Sequence, residues 1–167
     1  FSGSSKVSYY HHDMVGENTL EDPPEDLGRA RRIAHSYCQI LDRRQAIIGA
    51  TLSTLAVPGA LPAIYHCVGG QDRTGIISVL LLGIAGVTEG IIAEDYELTA
   101  RYQIDHYLRQ GKPPDFLPAG HTAESYLAEG CPPETMLVTQ RHLTDRYGGV
   151  EGYMRGAGLV EAQIENL

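Results

Sequence analysis

Apolar residues recur along this chain at spacings that predict helices over most of its length. Residues 1–22 are mixed and polar, and read as a loop or a frayed end. Pro23-Pro24 opens a helix running to about Ser53, with Ile33, Tyr37, Ile40, Leu41, Ile47 and Ile48 on its apolar side. Residues 61–67 form a short apolar run that reads as a buried strand, 68–72 a loop, and 73–85 a buried helix ending near Gly86. Thr88 is placed to cap the next helix, whose inner side Ile91, Ile92, Asp95, Tyr96, Thr99 and Tyr102 mark. Gly111-Lys112-Pro113-Pro114 breaks the chain, and 115–130 carries no clear period. Pro132-Pro133 starts a helix that reaches Tyr147, Gly148-Gly149 stops it, and two short helices finish the chain. Internal repeats and low-complexity stretches are not evident.

A length of 167 residues with 43% hydrophobic composition suits a single domain, 1–167, with a substantial core. Thirteen basic against twenty-one acidic residues leave a net charge of −8, which argues against nucleic acid as a partner. The same balance means that overall charge will not draw in an anionic ligand; a local site must do so. Three cysteines at irregular spacing do not make a disulfide framework. The apolar run 76–87 is interrupted by Ser78, Gly83 and Gly86 and is too short to span a bilayer. No transmembrane segment or signal peptide is read, and the oligomeric state is not legible.

The chemistry concentrates in His66-Cys67-Val68-Gly69-Gly70-Gln71-Asp72-Arg73-Thr74-Gly75. A cysteine and an arginine bracket a five-residue loop between a strand and the N-terminus of a helix. Successive backbone N–H groups in such a turn point inward, and the helix dipole adds about half a positive charge. A thiol on the floor of that cradle is driven toward the thiolate. A guanidinium at the rim can hold two oxygens of a tetrahedral dianion. Arg73 opposes the dipole at that helix end, a local cost that an anion in the loop would offset. A nucleotide-binding P-loop is excluded, because Ile76-Ile77 follows Gly75 where Lys-Ser/Thr is required. Cys38 and Cys131 read instead as small buried hydrophobes.

These residues resemble the Cys-x5-Arg protein tyrosine phosphatases, and within them the bacterial and fungal tyrosine/serine phosphatase family. That family's loop reads His-Cys-x-Ala-Gly-Lys-Asp-Arg-Thr-Gly, so its Asp-Arg-Thr-Gly end is intact at residues 72–75. Glu94-Asp95-Tyr96-Glu97-Leu98-Thr99 is similar to its Asp-Tyr-x-Leu-Ser segment. Arg146-Tyr147-Gly148-Gly149-Val150-Glu151-Gly152-Tyr153-Met154, with Ala157-Gly158-Leu159, is similar to its C-terminal signature. The likeness runs from about residue 30 to the end. It implies an α/β fold, a central and mostly parallel sheet flanked by helices, helix-rich here because the family's N-terminal strands are missing. Two departures stand out. Gln71 replaces the usual lysine, and the N-terminal Asn-x-Arg-Asp-x-Gly-Gly segment is absent. The chain starts at Phe1 without methionine and is read as a fragment or a processed form.

The resemblance implies a phosphomonoesterase that needs no metal or cofactor and works through a cysteinyl-phosphate. Cys67 is then the nucleophile and Arg73 the clamp on the equatorial oxygens. Val68, Gly69, Gly70, Gln71, Asp72 and Arg73 supply the substrate cradle, and Thr74 sets its hydroxyl against the sulfur. His66 supports the loop from behind, and Asp95 braces it. The general acid is open between Asp72, inside the loop, and Asp13, in Tyr10-His11-His12-Asp13. His11 and His12 point apart and have no third histidine at ligand spacing, so no metal site is expected. Phosphotyrosine proteins or aryl phosphates are the expected substrates, with phosphoserine or phosphothreonine also open. Losing the lysine at position 71 should weaken binding of phosphoinositides. The competing readings are a pseudophosphatase that binds phosphorylated partners without turnover, a phosphoinositide phosphatase, and a sulfurtransferase or reductase using a similar loop. A free Cys67 thiol suits a reducing, cytoplasmic compartment, with secretion as the alternative.

Overall fold

The computed structural model describes residues 7–16, 20–109 and 122–167. The break expected at 111–114 lies outside them. Among the described residues there are eight helices and no strand: α1 Arg29–Arg43, α2 Gln45–Leu55, α3 Asp72–Ile84, α4 Glu89–Arg109, α5 Ala123–Glu129, α6 Pro133–Tyr147, α7 Val150–Gly156 and α8 Glu161–Ile164. α3 is the central element, packed against α1, α4 and α7, while α6 closes over α1 and α4. Ile76, Ile77, Val79 and Leu80 of α3 are buried, and Leu81, Leu82 and Ile84 are packed at the edge of the core, so apolar side chains ring it. A helix without a polar face must be enclosed by its neighbours.

The expected helix from Pro23 to Ser53 is two helices, and it begins later. Residues 24–27 turn first, with Leu27 N–H donating to Pro24 O at 3.3 Å. Gly28 is the N-cap of α1. At Arg44 the backbone leaves the helical region (φ −118°, ψ 20°), and Arg44 donates to Val15 O at 2.8 Å, tying the 13–16 turn to the break. Ala34, Tyr37 and Leu41 form the buried stripe of α1. α2 meets α7 at Gly49, where a Cβ would lie 2.1 Å from Ala157 O. Only glycine fits there.

Residues 61–67 do not form the expected strand. They run as coil between α2 and the loop, with Ile64 93% exposed and only Tyr65 packed against the core. A strand exists by pairing, and the described residues offer this segment no ladder partner. The inner side of α4 also differs from the expected one. Ile92, Ala93, Tyr96, Ala100 and Ile104 are buried, whereas Ile91, Asp95 and Tyr102 are exposed. The true stripe repeats every four residues, and the outlying apolar positions sit beside it. α5 occupies part of the unreadable 115–130 stretch. α6 ends as expected: Gly148 adopts φ +74°, with Gly148 N–H on Thr144 O and Gly149 N–H on Leu143 O. That paired closure is the glycine-dependent stop of a helix C-terminus.

Candidate active site

The loop between the 61–67 segment and α3 is built as the cradle its residues call for. Gly70 takes φ +70°, a conformation that costs other residues their Cβ clearance. Gln71 is the N-cap of α3, so the first amides of that helix face the loop interior. The Gly70 N–H donates to Cys67 Sγ at 3.2 Å. Burial of the Cys67 thiol pushes its pKa up, but the Thr74 hydroxyl and amide, the Gly70 amide and the Arg73 charge together outweigh it. Cys67 therefore ionises below the ordinary thiol value. Thr74 Oγ1 is buried and makes no hydrogen bond of regular geometry, yet it lies close enough to the sulfur to favour the thiolate. Arg73 is half-buried, and among the described residues no carboxylate pairs with it.

Three helices hold this loop from outside. Tyr37 of α1 donates its hydroxyl to Asp72 Oδ1 at 2.8 Å and lies 2.8 Å from Tyr96 Oη of α4. Because the single Tyr37 proton goes to Asp72, Tyr96 is the donor to Tyr37. Burial pushes both tyrosine pKa values up, so both stay protonated. Gln71 donates to Gly130 O at 3.0 Å, and its Oε1 lies 3.2 Å from Tyr126 Oη. Gln103 of α4 donates to Gly69 O at 2.6 Å and accepts from Tyr126 Oη at 2.7 Å. Gly75 sits where a Cβ would meet Met136 Cε at 2.9 Å and the Tyr96 ring at 3.3 Å, so α3 approaches α4 and α6 closely just behind the loop.

The structure thus gathers Cys67, Val68, Gly69, Gly70, Gln71, Asp72, Arg73 and Thr74 in one loop and helix end. The others fall differently. The exposed His66 turns its Nδ1 onto Cys67 O at 3.0 Å. Asp95 is exposed, lines a cavity of about 180 Å3 with Gly70, Thr74, Ser78 and Tyr102, and makes no hydrogen bond or ion pair to Arg73 among the described residues. Among the described residues the side chains that hold the loop are Gln103, Tyr37 and Tyr126 instead. Asp13 is exposed and spends its Oδ1 on the amides of Val15 at 3.0 Å and Gly16 at 3.1 Å. Those two backbone donors, Gly16 foremost, hold its carboxyl below the usual range. No contact among the described residues brings it to the loop. A larger depression of about 490 Å3, lined by Pro23, Arg29, Arg32, Ile33, Ser36 and Glu129, includes no loop residue.

Sequence reasoning passed over Tyr37, Gln103 and Tyr126. Tyr37 was legible only as a core position, and nothing in the spacing of Gln103 or Tyr126 joins them to a loop more than thirty residues away. Among the described residues, no group of three or more His, Cys, Asp or Glu side chains is arranged to hold a metal ion. None of their helices is long and apolar enough to cross a membrane.

Residues 4–167 match the tyrosine phosphatase family. The chain belongs to that family. It is 30% identical over 155 residues to a tyrosine-protein phosphatase of Nostoc commune, covering 86% of this chain and 48% of that protein. It is 27% identical over 118 residues to the triple specificity protein phosphatase PtpB of Mycobacterium tuberculosis, covering 64% of this chain and 42% of that protein. The chain therefore spans less than half the length of either relative. Membership carries the phosphatase-like α/β fold class, of which the described residues supply the helical part.

Proposed function

We propose that this tyrosine phosphatase family member is a phosphomonoesterase acting on phosphotyrosine, through a phosphocysteine and without a metal. The observation that carries this reading is the sulfur of Cys67 under inward amides, ionised more readily than an ordinary thiol, with Arg73 beside it and paired with no carboxylate among the described residues. The thiolate attacks phosphorus as the ester oxygen leaves, and that oxygen takes a proton from the general acid. Water then attacks the phosphocysteine, releasing inorganic phosphate and restoring the thiolate. Arg73 grips the equatorial oxygens most strongly as the phosphoryl group flattens. Asp72 is favoured over Asp13 as the acid, because it stands in the loop and keeps Oδ2 for the proton while Tyr37 holds Oδ1.

The likeness to PtpB, a triple specificity protein phosphatase, favours breadth beyond phosphotyrosine, and phosphoserine and phosphothreonine are included in the proposed range. Phosphoinositides are disfavoured, because the neutral Gln71 brings no cation to a second phosphate and its amide is engaged with Gly130 O. The full sheet of the fold and its assembly as a single domain are part of the same proposal. p-Nitrophenyl phosphate and a phosphopeptide panel test it, with Cys67→Ser and Arg73→Lys as controls. Vanadate-sensitive turnover lost in both variants is expected, since lysine keeps the charge but not the fork. Phosphate-ester binding without turnover by the unaltered protein would make it a pseudophosphatase.

A further inference from the structure

The Gly69–Gly70 peptide lends its N–H to the nucleophile, and its orientation is set from outside the loop. A trans peptide carries its C=O and N–H on opposite sides. Gly69 O is drawn toward α4 by Gln103 Nε2 at 2.6 Å, and the Gly70 N–H points the other way, onto Cys67 Sγ at 3.2 Å. If that peptide flipped, a carbonyl oxygen would face the sulfur and oppose its ionisation. Glycine at 69 and 70 leaves little steric barrier to such a flip. Gln103 is itself oriented: Tyr126 donates to its Oε1 at 2.7 Å, which fixes the amide with its nitrogen toward the loop.

We propose that Gln103 is a positioning residue, whose side-chain amide holds the Gly69–Gly70 peptide so that its N–H is aimed at the Cys67 sulfur. Tyr126 serves the same end by fixing which way the Gln103 amide faces. Consequences for turnover rest on the phosphatase reading above; consequences for the thiol do not. The groups around the sulfur are otherwise accounted for. Thr74 and Arg73 lower its pKa from α3, His66 engages the Cys67 carbonyl, Asp72 is held by Tyr37, and the exposed Asp95 lies on the neighbouring cavity wall. None is altered by a change at 103.

The test is the pH midpoint of Cys67 alkylation by iodoacetamide, read by mass spectrometry, in the unaltered chain and in Gln103→Leu, Gln103→Glu and Tyr126→Phe. Gln103 is half-exposed on a helix surface and is not itself one of the buried core residues. Gln103→Leu is expected to raise the midpoint by about one pH unit, the size of one charge-assisted hydrogen bond lost or weakened. Gln103→Glu should raise it at least as much, and Tyr126→Phe less but in the same direction. A midpoint unchanged in Gln103→Leu overturns the proposal. So does a rise confined to Gln103→Glu, which would be a plain charge effect. If the midpoint rises in Gln103→Leu while the unaltered protein fails to turn over p-nitrophenyl phosphate, the positioning role stands and the phosphatase reading falls.

Discussion

The Tyr37 hydroxyl donates to Asp72 Oδ1 across 2.8 Å, joining a fully buried core residue of α1 to the mouth of the loop. Tyr96 in turn donates to Tyr37, and the Gln71 amide approaches Tyr96 Oη at 3.5 Å. The two tyrosine rings meet edge to face, with centroids 6.1 Å apart. The packing that fixes Tyr37 therefore fixes the Asp72 carboxylate, and the position of the proposed proton donor is decided inside the core. Rigid support of this kind is what holds a reacting group within reach of its target.

Tyr37→Phe removes that support while keeping the ring. It leaves Asp72 without its donor and Tyr96 without its acceptor. Urea unfolding should show a loss of about 1–2 kcal/mol, the cost of unpaired groups at a partly buried site. Turnover of an alkyl phosphate should fall more than that of p-nitrophenyl phosphate, because the poorer leaving group needs the proton more. Equal losses on both esters would mean that Tyr37 acts through stability alone.

Asp72→Asn and Asp13→Asn separate the two candidates for the acid. Asn at 72 can still accept from Tyr37 but has no proton to give, so the alkyl ester rate is expected to drop by roughly 100-fold. Asn at 13 can still accept from the Val15 and Gly16 amides, and the turn it closes lies apart from the loop. Its rates should match those of the unaltered chain on both esters. A selective loss in Asp13→Asn would reverse the assignment.

How far the sequence could be read follows from the kind of signal each feature leaves. The loop was legible because Cys67, Gly70, Arg73, Thr74 and Gly75 are each demanded by local chemistry. Gly148 was legible because a left-handed helix end selects glycine. The break at Arg44 was not, since arginine is a good helix former and only its tie to Val15 O gives the break a reason. The 61–67 run looked like a strand because Ile64 and its neighbours are apolar. Burial and pairing, which make a strand, are properties of partners and not of the run. Gln103 left no trace, for a polar residue on a helix surface reads the same whether it faces water or a loop, and the buried Tyr126 sits in a stretch with no clear period.

Two glycine-to-alanine substitutions should differ sharply. At Gly75 the added Cβ meets the flexible end of Met136 and the face of Tyr96, which can give by a few tenths of an ångström. The expected loss is about 1 kcal/mol, typical of mild overpacking, with some loss of turnover because Tyr96 must shift. At Gly49 the Cβ would lie 2.1 Å from the backbone carbonyl of Ala157, and no side-chain rotation relieves that. Gly49→Ala should cost about 3 kcal/mol or more and lower the melting temperature accordingly. Comparable melting temperatures for the two would contradict the packing of α2 on α7.

The three cysteines should sort by reactivity in a single alkylation experiment. Burial pushes Cys38 up to about 11 and Cys131 up to about 12, with Asp42 and Asp72 respectively adding repulsion. At pH 7 a thiol with a pKa near 11 is ionised about once in ten thousand molecules. Cys67 moves the other way, since the Thr74 hydroxyl, the Thr74 and Gly70 amides and Arg73 outweigh its burial. Its reactivity should persist as pH falls below the ordinary thiol range near 8.5 and decline only through its own lower pKa. The sign for stability is the same: a depressed thiol adds stability above the unfolded pKa, and that increment is lost as pH falls through the folded one. Iodoacetamide at pH 7 is therefore expected to give one adduct, on Cys67, suppressed by vanadate and by inorganic phosphate. First labelling at Cys38 or Cys131, or no protection by either anion, would mean that the loop does not hold a thiolate beneath an oxyanion site.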